Sequence, residues 1–214
     1  MIKIEMFTFN PLQENTYLLS NEKGEAIIID PGCYFTAEEE TLFNHIMRAG
    51  YKPVQLINTH CHLDHVFGNK QAAKKYNLQL FIHPNEEKVL QVAPAYGAQY
   101  GLTFSGYTGP LHFLQHNDIV YLGNDALRVI LVPGHSPGSI CFYNEAQHFL
   151  IGGDVLFHES IGRTDLPYGN HEQLINGIQT ALFSLPDETV VYPGHGPSTT
   201  IGHEKKYNPF LSVI

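Results

Sequence analysis

Thr59-His60-Cys61-His62-Leu63-Asp64-His65-Val66 carries three imidazoles and a carboxylate on six consecutive residues, His60 to His65. Val54–Thr59 ahead of it reads as a strand and Val66–Tyr76 behind it as a helix, which puts the cluster at a strand end. If the strand's period of two persists, His60 and His62 project to one side with Asp64 following, and His65, out of step, points elsewhere. The segment can then serve two ions a few ångströms apart. A lone strand His is ordinarily a surface or satisfied core residue, but burying His and Asp side by side without a cation is costly, so a metal is the expected partner. Cys61, between two ligands, should point away from them as a small core filler.

Outward from the cluster, one local pattern recurs. Leu127–Val132 runs into Pro133-Gly134-His135, His148–Ile151 into Gly152-Gly153-Asp154, and Thr189–Tyr192 into Pro193-Gly194-His195. Each is an apolar strand, then glycine, then a ligand-type residue. Singly each is a turn. Together they can bring ligands from different strand ends to one edge, with glycine allowing the tight backbone that aims them. Imidazole and carboxylate suit zinc, and also iron or manganese, and the lack of a Cys ligand disfavours a closed structural zinc site. The expected division is His60, His62 and His135 on one ion, Asp64, His65 and His195 on a second, and Asp154 bridging, with a position left for a shared water. Two divalent ions, zinc first, are the expected cofactors.

Metal-bound imidazoles need a partner for their other nitrogen. Asp30, at a strand end before Pro31-Gly32, is the first candidate, against the alternative of a simple turn residue; Asp165 and Thr59 are the next. Arg163, Lys205 and Lys206 could hold a substrate carboxylate, solvated charge being the simpler reading of each. His45, His83, His112, His116, His148, His171 and His203 read as structural or solvated. His158, soon after Asp154, could line the pocket.

The remaining chain reads as globular. Strands are expected at Ile2–Met6, Asn15–Ser20, Glu25–Asp30, Leu78–Ile82, Asp118–Leu122, Leu127–Val132, Ser139–Tyr143, Gln147–Ile151 and Glu188–Tyr192. A helix opens on a Thr36/Glu39 capping box, carries the stripe Leu42, Phe43, Ile46 and Met47, and stops at Gly50. Pro84 opens a short helix or turn to about Val92, Ala93–Pro110 reads as a long surface excursion, His171–Leu182 as a helix, and a last helix begins near His203. Strands, helix, strands, helix, in two halves, imply an α/β (α+β) fold: a four-layer αββα sandwich of two mixed β-sheets flanked by helices. The 214 residues fit one domain, 1–214, at roughly 100–200 residues per domain.

Composition excludes several classes. Twelve Lys+Arg against 21 Asp+Glu give a net charge of −9, which argues against a nucleic-acid partner. No apolar run reaches the ~18 residues of a membrane span, and the alternating start is unlike a signal peptide. Cys33, Cys61 and Cys141, odd in number and widely spaced, do not form a disulfide framework, so a cytoplasmic setting is expected. Thirteen His in a chain without Trp is the unusual count.

The pattern HxHxDH at His60–His65, with His135, Asp154 and His195, resembles the metallo-β-lactamase superfamily over nearly the whole chain. Within it, Ser160-Ile161-Gly162-Arg163-Thr164-Asp165-Leu166-Pro167, Tyr192-Pro193-Gly194-His195-Gly196-Pro197 and the ending Thr200–Pro209 resemble the short, single-domain glyoxalase II group. The resemblance implies a binuclear hydrolase of thioesters with hydroxyacylglutathione the reference substrate, hydroxide held between the metals attacking the thioester carbonyl and Asp64 orienting it. Full-length glyoxalase II has a C-terminal helical domain for glutathione, which is not expected here. The β-lactamases of the superfamily usually lack a ligating His where His65 stands and often have Cys where Asp154 stands, which points away from antibiotic hydrolysis. Two rivals remain: a mononuclear-iron persulfide dioxygenase on His60, His135 and Asp154, whose branch shares the Gly-Arg-Thr-Asp stretch, and a metal-dependent phosphodiesterase, which the net charge disfavours. The expected partner is a small-molecule thioester, with neither nucleic acid nor membrane; the oligomeric state is not legible.

Overall fold

Parallel strands need a crossover, and the order of elements supplies one between each parallel pair. The structure, a computed structural model, describes residues 1–211. Its contacts group into two units: Met1–Leu114 with Tyr121–Asp125, and Gln115–Val120 with Ala126 onward.

The first unit holds β1 (Lys3–Phe9), β2 (Glu14–Ser20), β3 (Glu25–Ile29), α1 (Thr36–Arg48), β4 (Lys52–Ile57), α2 (Leu63–Val66), α3 (Asn69–Tyr76), β5 (Leu80–Ile82), α4 (Glu87–Gln99) and β6 (Leu111–Phe113). They form a sheet in chain order, β1-β2-β3-β4-β5-β6. The first three strands are antiparallel neighbours, and β3, β4, β5 and β6 run parallel, with the helices as their crossovers. Leu18, Ile28, Leu56, Leu80 and Ile82 of the sheet share a buried cluster with Leu42 and Ile46 of α1, Ala72 and Ala73 of α3, and Leu90 and Ala93 of α4. Cys61 lies fully buried in that cluster.

The second sheet has the order β14-β13-β10-β9-β8-β7, formed by β7 (Ile119–Leu122), β8 (Asp125–Leu131), β9 (Ile140–Asn144), β10 (Phe149–Gly153), β13 (Val190–Pro193) and β14 (Thr199–Thr200). β10 and β13 run parallel across α5 (His171–Gly177), while β8, β9 and β10 are antiparallel. A small hairpin, β11 (Leu156–Phe157) with β12 (Ser160–Ile161), leaves β10, and α6 (Ile201–Tyr207) follows β14. Val132, Cys141, Leu150 and Val191 pack with Leu174, Ile178, Leu182 and Ile201. Each sheet is therefore mixed and flanked by helices, as expected. Among the described residues no helix is long and apolar enough to cross a membrane.

Several local expectations need correction. α1 is not closed by Thr36 and Glu39: Phe35 is its N-cap residue, and the Glu38 carboxylate accepts the N–H groups of Tyr34 (2.9 Å), Phe35 (3.0 Å) and Asn10 (2.7 Å). Met47 is 67% exposed, so the buried stripe narrows to Leu42 and Ile46. The helix expected over Val66–Tyr76 is two helices, broken where the Gly68 N–H donates to the Pro31 carbonyl at 2.7 Å and where a Cβ would meet that same oxygen. β4 ends at Ile57, short of Thr59. The excursion expected from Ala93 begins only after Gln99, because α4 continues through Pro94 with Val89, Leu90, Ala93 and Gly97 buried. Burial of that face outweighs the poor helix propensity of Pro and Gly. α5 gives way at Ile178 to a π-helical turn through Leu182.

Candidate metal centre

In the first unit the His60–His65 segment is set by hydrogen bonds rather than by strand alternation. The backbone is extended up to His62, whose ψ is 154°, and α2 then begins at Leu63. Asp64 and His65 are thus placed by the first turn of a helix, not by the strand's period. The His60 ring lies 4.8 Å from that of His62 and 4.1 Å from that of His65, centroid to centroid. His60, Asp64 and His65 are buried and His62 is partly so.

Asp30 organises this segment. It sits just past β3 at φ +50°, in the left-handed region where a non-glycine residue is uncommon. Its carboxylate accepts the Thr59 N–H (2.7 Å), the Thr59 hydroxyl (2.6 Å) and the Asn58 amide (3.1 Å), and lies 3.1 Å from His65 Nδ1. A carboxylate only accepts, so His65 carries its proton on Nδ1 and its lone pair on Nε2. The Thr59 hydroxyl spends its one proton on Asp30. It must therefore accept from His60 Nδ1 at 3.1 Å, which puts the His60 lone pair on Nε2 as well. One carboxylate so fixes the tautomer of two imidazoles.

Residues with no motif signature complete the support. The Asn10 amide donates to the carbonyls of Gly32 (2.9 Å) and Asp64 (3.1 Å). The buried Glu86 carboxylate takes the Cys61 N–H at 2.7 Å. Burial, and then the carboxylates of Glu86 and Asp30, push the Cys61 thiol well up. Glu14 is fully buried, accepts the Thr16 hydroxyl at 3.0 Å and has Oε1 3.8 Å from His65 Nδ1; burial raises its carboxyl well above the usual range, with His65 opposing. Nothing in the local sequence marks Asn10, Glu14 or Glu86, because each acts on a segment far along the chain.

In the second unit, His135 follows Gly134, Asp154 follows Gly153 and His195 follows Gly194, at the ends of β8, β10 and β13 or just beyond. His135 Nδ1 lies 2.7 Å from the Arg163 carbonyl, again an acceptor, so its lone pair is on Nε2. That Nε2 lies 3.5 Å from Asp154 Oδ2, and His195 Nε2 lies 3.5 Å from the same oxygen. With the His135 ring neutral, two acceptors face each other. Two bonds of about 2.0–2.2 Å meeting at a near-tetrahedral angle on one ion hold their outer atoms roughly 3.4 Å apart. The residues present fit a divalent metal. Gly162 keeps this corner tight: a Cβ there would run into the Asp154 carbonyl and lie 3.1 Å from His135 Cβ.

Arg163, Asp165, Lys205 and Lys206 are exposed. Asp165 is a bidentate partner of Arg163 at 2.8 and 2.7 Å, well exposed, and the Arg163 hydrogen bonds lower its pKa to about 2. The Arg163 carbonyl meets His135. Lys205 is paired with Asp187, and Lys206 lies over the Tyr207 ring.

The metallo-beta-lactamase superfamily domain matches residues 9–195. The chain belongs to that superfamily. It is 34% identical to "Hydroxyacylglutathione hydrolase GloC" of Haemophilus influenzae, over 99% of both chains. Among solved structures it resembles "BLEG-1 B3 metallo-beta-lactamase" (34% identity, TM-score 0.90, 99% of this chain and 100% of that one). It also resembles "TTHA1623 in a di-iron-bound form" (35% identity, TM-score 0.88, 97% and 100%). As a superfamily member, the chain is related to metallo-hydrolases and carries His/Asp clusters suited to divalent metal.

Proposed function

We propose that this protein is a metal-dependent thioester hydrolase acting on hydroxyacylglutathione-type substrates. The observation that carries the metal is the paired 3.5 Å spacing of His135 Nε2 and His195 Nε2 from one Asp154 oxygen, with the His135 Nδ1 proton committed to a carbonyl. The thioester preference is supported by the full-length likeness to GloC. The family resemblance implies that His60, His62 and His135 would hold one ion and Asp64, His65 and His195 the other, with Asp154 able to serve either. Bound divalent ions supply Lewis-acid charge, which polarises a carbonyl and acidifies water near neutral pH. Asp64, besides holding metal, would keep the attacking oxygen aimed. A thiol of pKa about 8.5 leaves without a strong general acid, which suits a site whose ionisable groups are nearly all ligands. Zinc is the first choice of metal; the di-iron neighbour keeps iron in the test.

The test measures turnover of a panel of acyl thioesters, a β-lactam, and oxygen uptake with glutathione persulfide, with metal content determined on the same preparation. The expected result is metal-dependent hydrolysis of hydroxyacylglutathione with up to two ions per chain. His62→Ala and Asp64→Ala should each abolish turnover while circular dichroism stays unchanged. Full activity after chelation, or in either variant, removes the mechanism. Oxygen uptake with one iron per chain would establish the dioxygenase reading instead, and β-lactam turnover alone would follow the BLEG-1 likeness.

A further inference from the structure

A second group of ligand-type residues, none of them among the seven above, lies on the surface of the second unit. His158 and Glu159 form the turn between β11 and β12, and His203 lies in the first turn of α6. His203 Nε2 is 3.1 Å from Glu159 Oε1, and His158 Nε2 is 3.9 Å from the same oxygen. The His158 and His203 rings stack, with centroids 4.9 Å apart and planes 20° from parallel. One ligand atom from each of the three residues lies within 4.8 Å of the other two.

The scaffold under these side chains is fixed. Glu159 sits at φ +53°, a conformation that costs a non-glycine residue of order 1 kcal/mol or more and persists only where its surroundings hold it. Here its N–H donates to the buried Glu204 carboxylate at 3.0 Å. Asn208 donates both to Glu204 (2.7 Å) and to the Ser160 carbonyl (3.0 Å), which ties the hairpin to α6. The Thr200 hydroxyl accepts the His203 N–H at 3.2 Å and starts the helix. Glu204 Oε1 lies 4.0 Å from His203 Nε2 and puts a second carboxylate behind the cluster, while the neighbouring Lys205 is spent on Asp187.

We propose that His158, Glu159 and His203 bind a divalent transition-metal ion of the zinc, nickel or copper kind. Two imidazoles and a carboxylate form a borderline-soft N₂O set that favours these ions over magnesium or calcium. Ligand atoms on a tetrahedral ion sit roughly 3.4 Å apart. The three side chains are 44%, 50% and 32% exposed, and the two separations from Glu159 Oε1, 3.9 and 3.1 Å, lie on either side of that spacing. A proton would account for the His203–Glu159 contact alone. It does not involve His158, whose Nε2 stands 3.9 Å from the same oxygen as the third ligand-type atom. The site does not rest on the thioesterase reading.

Protein isolated with its resident metal and freed of loose ions is titrated with Zn²⁺ by calorimetry, and metal content is then counted by elemental analysis. The expected result is one further zinc ion per chain. His158→Ala and His203→Ala should each weaken that event by about tenfold or more, since even outer-shell changes cost this much at metal sites. Melting curves without added zinc show that both variants fold. His62→Ala should lose resident metal and turnover yet keep the additional zinc event, so failure of either reading shows separately. No uptake by the parent protein, or equal uptake by the His158→Ala/His203→Ala double variant, overturns the proposal.

Discussion

Asp30 is the residue on which two imidazoles depend. It accepts from Thr59 and His65, and through Thr59 it fixes His60. Asp30→Asn keeps the volume but brings an N–H₂ group into a ring of donors, so the conservative change does not conserve the function. The expected outcome is a loss of metal affinity or activity of about 10- to 100-fold, checked by elemental analysis beside the thioesterase assay. Gly162 is the counterpart in the second unit. In Gly162→Ala the new methyl displaces the Asp154 backbone or His135, overpacking that costs about 1–3 kcal/mol. For a chain of this size the melting temperature should fall roughly 2–4 °C per kcal/mol. Turnover should fall further than that destabilisation explains, which an assay well below the melting point will show.

At the scale of elements, the entry to α4 carries a pH dependence of its own. His83 precedes the 3₁₀ turn Pro84–Glu86, and its Nδ1 accepts the Asn85 N–H at 3.2 Å, a cap available only to the neutral ring. Burial lowers the His83 pKa below its usual 6.5. Between the lowered folded value and the unfolded one, the unfolded chain binds more protons, so stability rises with pH across that window and is lost on acidification. His83→Asn supplies a cap that does not titrate. Its melting temperature should vary less than that of the parent between pH about 7 and 5, where the unfolded imidazole titrates. An identical slope in both proteins would show that the cap has no such role. The elements themselves were legible where burial follows a period: the alternating and apolar strands emerged within a few residues of their expected bounds. The misreadings at α1, α4 and the α2–α3 break arose where a distant group decided: Glu38 reaching Asn10, the buried face of α4 holding Pro94 in a helix, and the Pro31 carbonyl capping Gly68's approach.

For the whole molecule, the largest single perturbation is metal removal. Buried Asp64 and Asp154 would lose a counter-charge and His65 a partner for its Nε2 lone pair, and a ligand present at 100 times its dissociation constant stabilises by about 2.7 kcal/mol. Chelation should lower the melting temperature by roughly 5–10 °C at that loading and abolish thioester turnover, both recovered on adding metal back. Scanning calorimetry before and after chelation checks this. An unchanged melting temperature would mean that the buried acids are satisfied by protons alone. The acidic balance of −9 has a separate consequence: RNA should neither bind nor be cleaved at physiological salt, as filter binding will report.

The candidate metal ligands were legible in the sequence alone. Metal chemistry selects residue types, and the strand–glycine–ligand pattern and the HxHxDH cluster are local, so they survive in a one-dimensional reading. The orientation of the imidazoles was decided only in three dimensions. His65 takes its partner from Asp30, 35 positions away; His135 takes its partner from the Arg163 carbonyl, 28 away; and Cys61 is pinned by Glu86, 25 away. A backbone carbonyl has no residue-type signature, and a carboxylate that acts across such distances leaves no spacing to read. The surface trio of His158, Glu159 and His203 was hidden for the same reason: a hairpin turn and a helix start 44 residues apart meet only because buried Glu204 and Asn208 hold them together.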